Sequence, residues 1–338
     1  PANRYLLYNP KEAKKDRFHL DNNIEMKLPD HFFWKWFSSV WRQGPVSRQI
    51  RSDKVEIFHG LSGEIPRGID RVYTKNVVTI HDLIFMRNPE LYKPIDRKIY
   101  FNKYKYAAET ADIVIAISEQ TKKDIIKFLK VDENKVKVHY QGCHPAFKMN
   151  FTRDEKENLK EKFSLPNRYI LNVGTVEPRK NVLTVIKAIR ETRYHLVIVG
   201  RPTEYKKQLV AYIMQNNLQD RIHFPENVQM QELAIMYRLA DLFCYPSIFE
   251  GFGIPIIEAL FSEVPVIASI GGCFPEAGGP GSVYLDNKKP EDWTKEIDRL
   301  MKDESERKRM VSAGLSYAQR FTDENVGSGL MKLYQELR

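Results

Sequence analysis

The sequence lacks any apolar run approaching the ~18 residues that a membrane-spanning helix needs. No stretch of it reads as a secretory leader, although it opens on Pro1 rather than methionine, which leaves room for an upstream piece. It holds only three cysteines, Cys143, Cys244 and Cys273. They are odd in number and far apart, so they read as free thiols of a reducing, cytoplasmic compartment rather than a disulfide framework. Cys244, in "DLFCYPS", reads as a small core residue. No cysteine, histidine or carboxylate grouping has metal-ligand spacing. A phosphate-binding loop of the Lys-Ser/Thr type is missing, which removes support for ATPase chemistry. A G-x-G-x-x-G turn after a strand is missing too, which argues against a nicotinamide-dependent dehydrogenase. Glycine itself is absent until Gly44. A nucleotide-type half would begin with a strand and a glycine-rich turn, whereas "RYLLYNP" (4–10) reads as a second strand. The first domain is therefore expected to lack its first strand and glycine-rich loop.

What is present is ordinary in bulk and specific in detail. The 338 residues carry 42% hydrophobic and 29% charged residues, a globular composition long enough for two domains. With 53 basic and 44 acidic residues the formal charge is +9. That surplus favours anionic partners such as nucleotide phosphates, acidic lipid headgroups or nucleic acid, without choosing among them.

Short β-rich runs alternate with helical patterns. "NVVTIHD" (76–82), "ADIVIAIS" (111–118) and "KVKVHY" (135–140) read as strands of one set, with helices over 97–110 and 118–130 and Ser118 as N-cap of the second. "RYILNVG" (168–174), "YHLVIVG" (194–200), "DRIHFPE" (220–226), "ADLFCYPS" (240–247) and "VPVIAS" (264–269) form another set, with helices between them. Continuous apolar strands joined by helices imply parallel sheets covered on both faces. The expected class is α/β, with two Rossmann-like domains at 1–150 and 151–321 and a final helical segment, 322–338. "DHFFWKWFSSVW" (30–41) is aromatic almost all round, with Lys35 the one charge in 32–41. It reads as a helix packed into the first domain, because apolarity round the whole circumference means burial. A membrane-dipping surface is the other reading.

Three constellations carry chemistry. "YPSIFEGFGIPIIEAL" follows a strand and leads into a helix. Pro255 suits its first turn, Gly251 and Gly253 allow a tight bend and close ligand approach, and the free N–H groups of the helix start attract phosphate. Glu250 then stands at the mouth of a site and Glu258 about one turn in, both able to accept from sugar hydroxyls. The bland alternative makes Glu250 a cap and Glu258 a solvated helical residue. In "NVGTVEPRKN" (172–181), Arg179 and Lys180 sit at a helix start, where cations oppose the local dipole. An anion bound between them would relieve that conflict. In "TIHDL" (79–83), His81 could hydrogen-bond a substrate and Asp82 could orient neighbours. His59 and His144 read as structural.

Together these motifs resemble the retaining glycosyltransferases of family 4. Glu250 to Glu258 matches the E-x7-E motif, "VGTVEPRKN" looks like the donor-phosphate segment with Gly174 and Thr175, and "VTIHDL" looks like the first-domain His motif. "GGCFPEAGG" (271–279) is similar to the G-G-x-P-E loop. "ADIVIAISEQTKKDI" and "VHYQGCHPAF" fall in family order. The resemblance implies a GT-B architecture, two Rossmann-like domains facing a cleft, with the final helix crossing back to the first. It implies a nucleoside-diphosphate sugar donor, a sugar or lipid-linked acceptor, no metal or other cofactor, and no nucleic-acid partner. It places Arg179 and Lys180 on the diphosphate and Glu258 on the ribose. It gives Glu250 and His81 the donor sugar, with Asp82 beside His81. Gly251, Phe252 and Gly253 lend backbone donors, and Asn227 and Val228 adjoin the base. Many relatives carry arginine where this chain has Thr175, which leaves that charge to Arg179.

The implied reaction is transfer of a sugar from GDP-mannose or a UDP-sugar to an acceptor hydroxyl, with retention and by a front-face route, in polysaccharide or glycolipid assembly at the inner face of the membrane. Charge left on the diphosphate would be stabilised in place by Arg179, Lys180 and the helix start. The rivals are a sugar-nucleotide epimerase or phosphorylase of similar fold, the dehydrogenase weakened above, and a non-catalytic nucleotide-sugar or polysaccharide-binding module.

Overall fold

The computed structural model describes residues 3–12 and 22–337. The chain divides into two compact units. The first comprises residues up to Ala116, Lys122–Lys137 and the residues from Leu333 on. The second comprises Ile117–Thr121 and Val138–Lys332.

In the first unit, β1 (Tyr5–Tyr8) pairs in parallel with β2 (Ile24–Lys27) as a separate two-stranded sheet. A second sheet holds β3 (Ile57–Gly60), β4 (Lys75–Ile80), β5 (Ile113–Ala116) and β6 (Val136–Val138) in that order, with β3–β4 and β4–β5 parallel. Val77, Val78, Ile80 and β5 are buried throughout, as continuous apolar strands in a covered parallel sheet must be. The 17-residue helix Pro94–Thr110 fills the connection between β4 and β5.

The aromatic segment departs from the sequence reading. It forms two short helices, Phe33–Trp36 and Ser38–Gln43, broken at Phe37 (φ −108°, ψ 45°). Helices of one to two turns present no common face, so among the described residues of the segment only Trp41 (2% exposed) is fully buried, while Trp36 is 78% exposed and Phe32, Phe33, Phe37 and Val40 are exposed with it.

The second unit is built on one six-stranded sheet. Its strands are β7 (Tyr169–Val173), β8 (His195–Val199), β9 (Ile222–His223), β10 (Leu242–Tyr245), β11 (Val266–Ser269) and β12 (Val283–Leu285), in the order β12-β11-β10-β7-β8-β9. All five pairings are parallel. Alternate residues serve opposite faces. Tyr169, Leu171, Val173, Phe243 and Tyr245 join one core cluster with the helix Ile254–Phe261. Ile170, Leu196, Ile198, Leu242 and Cys244 join the other with the helices Val182–Arg190 and Pro290–Lys302. The segment 138–150 belongs to this unit because Ala146 and Phe147 of its 3₁₀ turn Pro145–Lys148 are buried in the first of these clusters.

The strand order reverses between β7 and β10: the chain runs outward through β8 and β9, then returns to the other side of β7. Open α/β sheets bind ligands at the carboxyl ends of the strands flanking such a reversal. The approach of neighbouring loops there is tight. A Cβ on Gly200, just after β8, would lie 1.8 Å from the carbonyl oxygen of Gly174, just after β7. Gly200→Ala is therefore expected to force the two loops apart and cost about 3 kcal/mol, measured by urea unfolding; wild-type stability would contradict this packing.

Candidate functional site

Two loops meet at the β7/β10 reversal. The first leaves β7 through Gly174 (φ 149°), makes a 3₁₀ turn over Pro178–Lys180, and enters the helix Val182–Arg190 through Asn181 in the left-handed region (φ 51°). The second leaves β10 at Tyr245 and enters the helix Ile254–Phe261, with Pro255 in its first turn and Gly253 (φ 144°) as the N-cap residue. Asn172 ties the strands together beneath the loops, its Nδ2 donating to the Cys244 carbonyl at 2.8 Å.

Arg179, Lys180 and Glu250 converge. Lys180 Nζ lies 2.6 Å from Glu250 Oε1, and Arg179 Nη1 lies 2.9 Å from Oε2. Arg179 also donates to the Phe249 carbonyl at 2.7 Å and to Glu177 Oε1 at 2.7 Å. Lys180 donates to Tyr245 Oη at 3.0 Å, and Ser247 Oγ donates to Glu250 Oε1 at 2.5 Å. Burial opposes ionisation of Glu250, but the charges of Lys180 and Arg179, with hydrogen bonds from Lys180 and Ser247, override it and hold its pKa below the usual value. Within the chain, the anions that relieve the cations at this helix approach are Glu250, on both, and Glu177, on Arg179. Glu250 caps no helix, since Gly253 is the N-cap and makes no side-chain cap bond.

Glu258 has the opposite character. It lies on the buried side of the helix rather than in solvent, and Tyr237 Oη donates to its Oε2 at 3.0 Å. Burial raises its pKa to about 7, against the lowering effect of the Tyr237 bond. Between the two glutamates, Gly251, Phe252 and Gly253 are buried, yet among the described residues their amide N–H groups find no protein acceptor. Buried amides are nearly always paired, so these three are open to an acceptor from outside the chain. The Phe252 side chain is an anchor instead, stacked on Tyr140 at 5.3 Å between ring centroids.

Thr175 follows Gly174 and is half-buried. Asn227 (φ 57°) and Val228 lie on the loop after β9; the Asn227 carbonyl accepts from Gln229 Nε2 at 3.3 Å and Val228 packs on the core. His81 and Asp82 follow β4 in the first unit. His81 Nε2 bonds the Leu61 carbonyl at 2.8 Å, and Asp82 Oδ1 accepts from the Ile84 amide at 3.0 Å, a local turn at the helix Ile84–Arg87. His59 bridges Tyr334 and Thr79 at 2.6 and 2.7 Å, and His144 accepts from the Ala146 amide at 3.2 Å. Both are structural, as read from the sequence. All three cysteines are free and buried. Glu177, Tyr237, Tyr245 and Ser247 were not singled out in the sequence. Ser247, three residues before Glu250 in a strand-to-helix loop, had a local signal; Tyr237, 21 residues before Glu258, had none.

Two family profiles match this chain. "Glycosyltransferase Family 4" matches residues 8–147 and "Glycosyl transferases group 1" matches residues 154–316, between them most of its length. The chain belongs to glycosyltransferase family 4. This glycosyltransferase is 28% identical to O-antigen chain mannosyltransferase B of Escherichia coli over 85% of its own length and 76% of the relative's. It is 32% identical to O-antigen chain mannosyltransferase RfbU of Salmonella typhimurium over 66% and 60%. It spans only 35% of the serotype-specific mannosyltransferase WbdA of Escherichia coli, at 26% identity. Among solved structures, a glycosyltransferase of Rickettsia africae superposes with a TM-score of 0.75 over 93% of this chain and 85% of that one, at 20% identity. Anabaena Alr3699/HepE in complex with UDP superposes with a TM-score of 0.75 over 98% and 100%, at 16% identity. The fold of this glycosyltransferase is GT-B, two α/β domains with parallel sheets.

The raised pKa of Glu258 has a stability signature. The folded state keeps a proton on Glu258 up to about pH 7 that the unfolded chain releases near 4.5. The associated stability is full below pH 4.5 and is lost as pH rises through 7. Wild-type unfolding free energy should fall from pH 5 to pH 7 by at most about 3 kcal/mol from this group, and Glu258→Gln should remove that part of the slope. Parallel wild-type and variant profiles would show that Glu258 titrates normally.

Proposed function

We propose that this glycosyltransferase moves a hexosyl group from a nucleoside-diphosphate sugar to an acceptor hydroxyl, with retention and without a metal ion, in the assembly of a polysaccharide or glycolipid. The observation that carries the reading is the meeting of Arg179, Lys180 and Glu250 beside three unsatisfied buried amides at the β7/β10 reversal. The cations and amides suit a diphosphate, and the two glutamates suit hydroxyls. GDP-mannose is the first donor to test, because the O-antigen relatives are named as mannosyltransferases. UDP-glucose is the second, because HepE was solved with it bound.

In this reading the bond between the anomeric carbon and the diphosphate oxygen breaks while the acceptor oxygen bonds the same carbon on the same face. The acceptor proton passes to a diphosphate oxygen. Negative charge grows on the leaving diphosphate, where fixed cations and amides stabilise it without reorganisation. Arg179, Lys180 and the amides of Gly251, Phe252 and Gly253 take that task, beside Gly174 and Thr175. Glu250, kept ionised, accepts from donor-sugar hydroxyls and acts neither as nucleophile nor as acid. Glu258 accepts from the ribose, and Asn227 and Val228 adjoin the base. His81, by its place in the first-domain motif, is assigned to the donor sugar, and Asp82 shapes its turn. An epimerase or phosphorylase would show itself by product without an added acceptor.

The glutamate and the lysine should separate in assay. Lys180→Ala should weaken GDP or UDP binding and lower kcat/KM by about 10²-fold or more. Glu250→Ala should lower turnover comparably yet bind the free nucleoside diphosphate at least as tightly, since it frees Lys180 of its internal anion and leaves Arg179 only Glu177. Calorimetry and transfer assays, run with and without EDTA, read both effects; near-wild-type rates for both variants would sink the assignment.

Docking on an anionic membrane is part of the same proposal, supported by the exposed Phe32, Phe33, Trp36, Phe37 and Val40 and by the net charge of +9. Co-sedimentation with phosphatidylglycerol vesicles should fall severalfold for Phe33→Ala/Trp36→Ala. Equal sedimentation of the variant and the wild-type protein would remove the segment from the proposal.

A further inference from the structure

The loop 250–253 is held by side chains that lie outside the E-x7-E motif. Ser118 Oγ lies 2.6 Å from the Gly251 carbonyl oxygen, and Thr121 Oγ1 lies 3.1 Å from the same atom. Cys273 Sγ donates toward the carbonyls on either side, that of Glu250 at 3.3 Å and that of Phe252. Three consecutive carbonyls are thus engaged by three side chains from two distant segments. Ser118 and Cys273 are fully buried and Thr121 is 2% exposed, so water does not compete for these bonds.

The single S–H of Cys273 is shared between the two carbonyls it faces. A hydroxyl has one hydrogen to give, and Ser118 gives its hydrogen to Gly251, the shorter contact. Ser118 Oγ still accepts, from the Thr121 amide at 2.9 Å, which makes it the N-cap of the following helical turn. The turn is fixed from its other side by Glu276, of the "GGCFPE" run. The Glu276 carboxylate accepts from the amides of Glu119 at 2.6 Å and Gln120 at 3.1 Å. Ile117, just before, is buried in the core cluster beneath the loop. Residues 117–121 belong to the second unit and form a brace with several independent attachments.

The consequence follows from peptide geometry. In a trans peptide the C=O and the next residue's N–H point in opposite directions, and the chain has no cis bond among the described residues. Fixing the carbonyls of Glu250, Gly251 and Phe252 therefore fixes the amides of Gly251, Phe252 and Gly253. Those are the buried amides that find no protein acceptor.

We infer that Ser118, Thr121 and Cys273 are positioning residues that aim these three amides at the donor's diphosphate, through the carbonyl groups behind them. The inference rests on the nucleoside-diphosphate reading above and adds the parts that set the geometry of its anion cradle. Because charge on the diphosphate grows during transfer, a misaimed cradle should cost more in turnover than in ground-state binding.

The test is a comparison of Ser118→Ala/Thr121→Val and Cys273→Ala with the hydroxyl-retaining variants Ser118→Thr, Thr121→Ser and Cys273→Ser, in the full chain with GDP-mannose and UDP-glucose as donors. The deletion variants should lose about tenfold or more in kcat with a smaller change in donor KM, and the hydroxyl-retaining variants should recover most of it. Should deletion and hydroxyl-retaining variants lose equally, or should KM alone change, the residues are packing elements and the inference is overturned. Binding of GDP and UDP by calorimetry covers variants with weak turnover: the deletion variants should bind severalfold more weakly, and unchanged binding together with unchanged kcat overturns the inference. Lys180→Ala serves as the control. If it is impaired while Ser118→Ala/Thr121→Val matches wild type, the cradle brace fails and the functional reading stands. If Lys180→Ala is also unimpaired, the functional reading fails first.

Discussion

The ion pairing of Glu250 with Lys180 and Arg179 is the interaction on which the second unit's site depends. It joins the loop after β7 to the loop after β10 across the one place where the strand order reverses. Either partner alone would be a costly buried charge. Together, with Ser247, Tyr245, Glu177 and the Phe249 carbonyl completing their hydrogen bonds, they make a network that is internally neutral. In the proposed reading, a diphosphate would meet cations that already have a partner, so its binding would be an exchange of anions rather than a simple neutralisation, with the glutamate left ionised for sugar hydroxyls.

The two glutamates of the motif illustrate how environment divides one residue type into two states. Glu250 has two cations and a hydroxyl on its oxygens and stays ionised despite burial. Glu258, eight residues on, has a tyrosine hydroxyl on its carboxylate, and burial raises its pKa to about 7. A shared spacing in sequence does not imply a shared charge. The helix between them begins at a glycine and a proline, which lets the first carboxylate remain on the loop while the second is carried one turn inward.

Much of the second unit was legible because its strands are continuous apolar runs and its loops carry proline, glycine and paired charges at strand ends. β7, β8, β10 and β11 fall inside the segments read from the sequence. The convergence of Arg179, Lys180 and Glu250 was legible too, since each stands just past a strand end. What escaped was long-range and uncharged. Ser118 reads from the sequence as a helix cap, and it is one, but its bond to Gly251 spans 133 positions and leaves no local trace. The short strand β12 and the long helix Pro290–Lys302 also went unread. The aromatic segment was misread because circumferential apolarity implies burial only for a helix long enough to be enclosed, and the break at Phe37 removes that condition. The role expected for His81 rests on a motif, whereas the Asp82 side chain is engaged in a local turn.

The brace at residues 117–121 has a bearing on how such a chain can be cut and recombined. By contacts it is part of the second unit, yet by sequence it lies between β5 and the stretch Lys122–Lys137, both of the other unit. A fragment started at Val138 would omit it and leave the Gly251 carbonyl without its hydroxyl donors and the Glu276 carboxylate without its two amide donors. Chimaeras that graft a foreign N-terminal half would inherit that half's version of the five residues. Their success should track whether the graft supplies hydroxyls at the positions of Ser118 and Thr121, a compatibility rule that a junction drawn between the two halves would conceal.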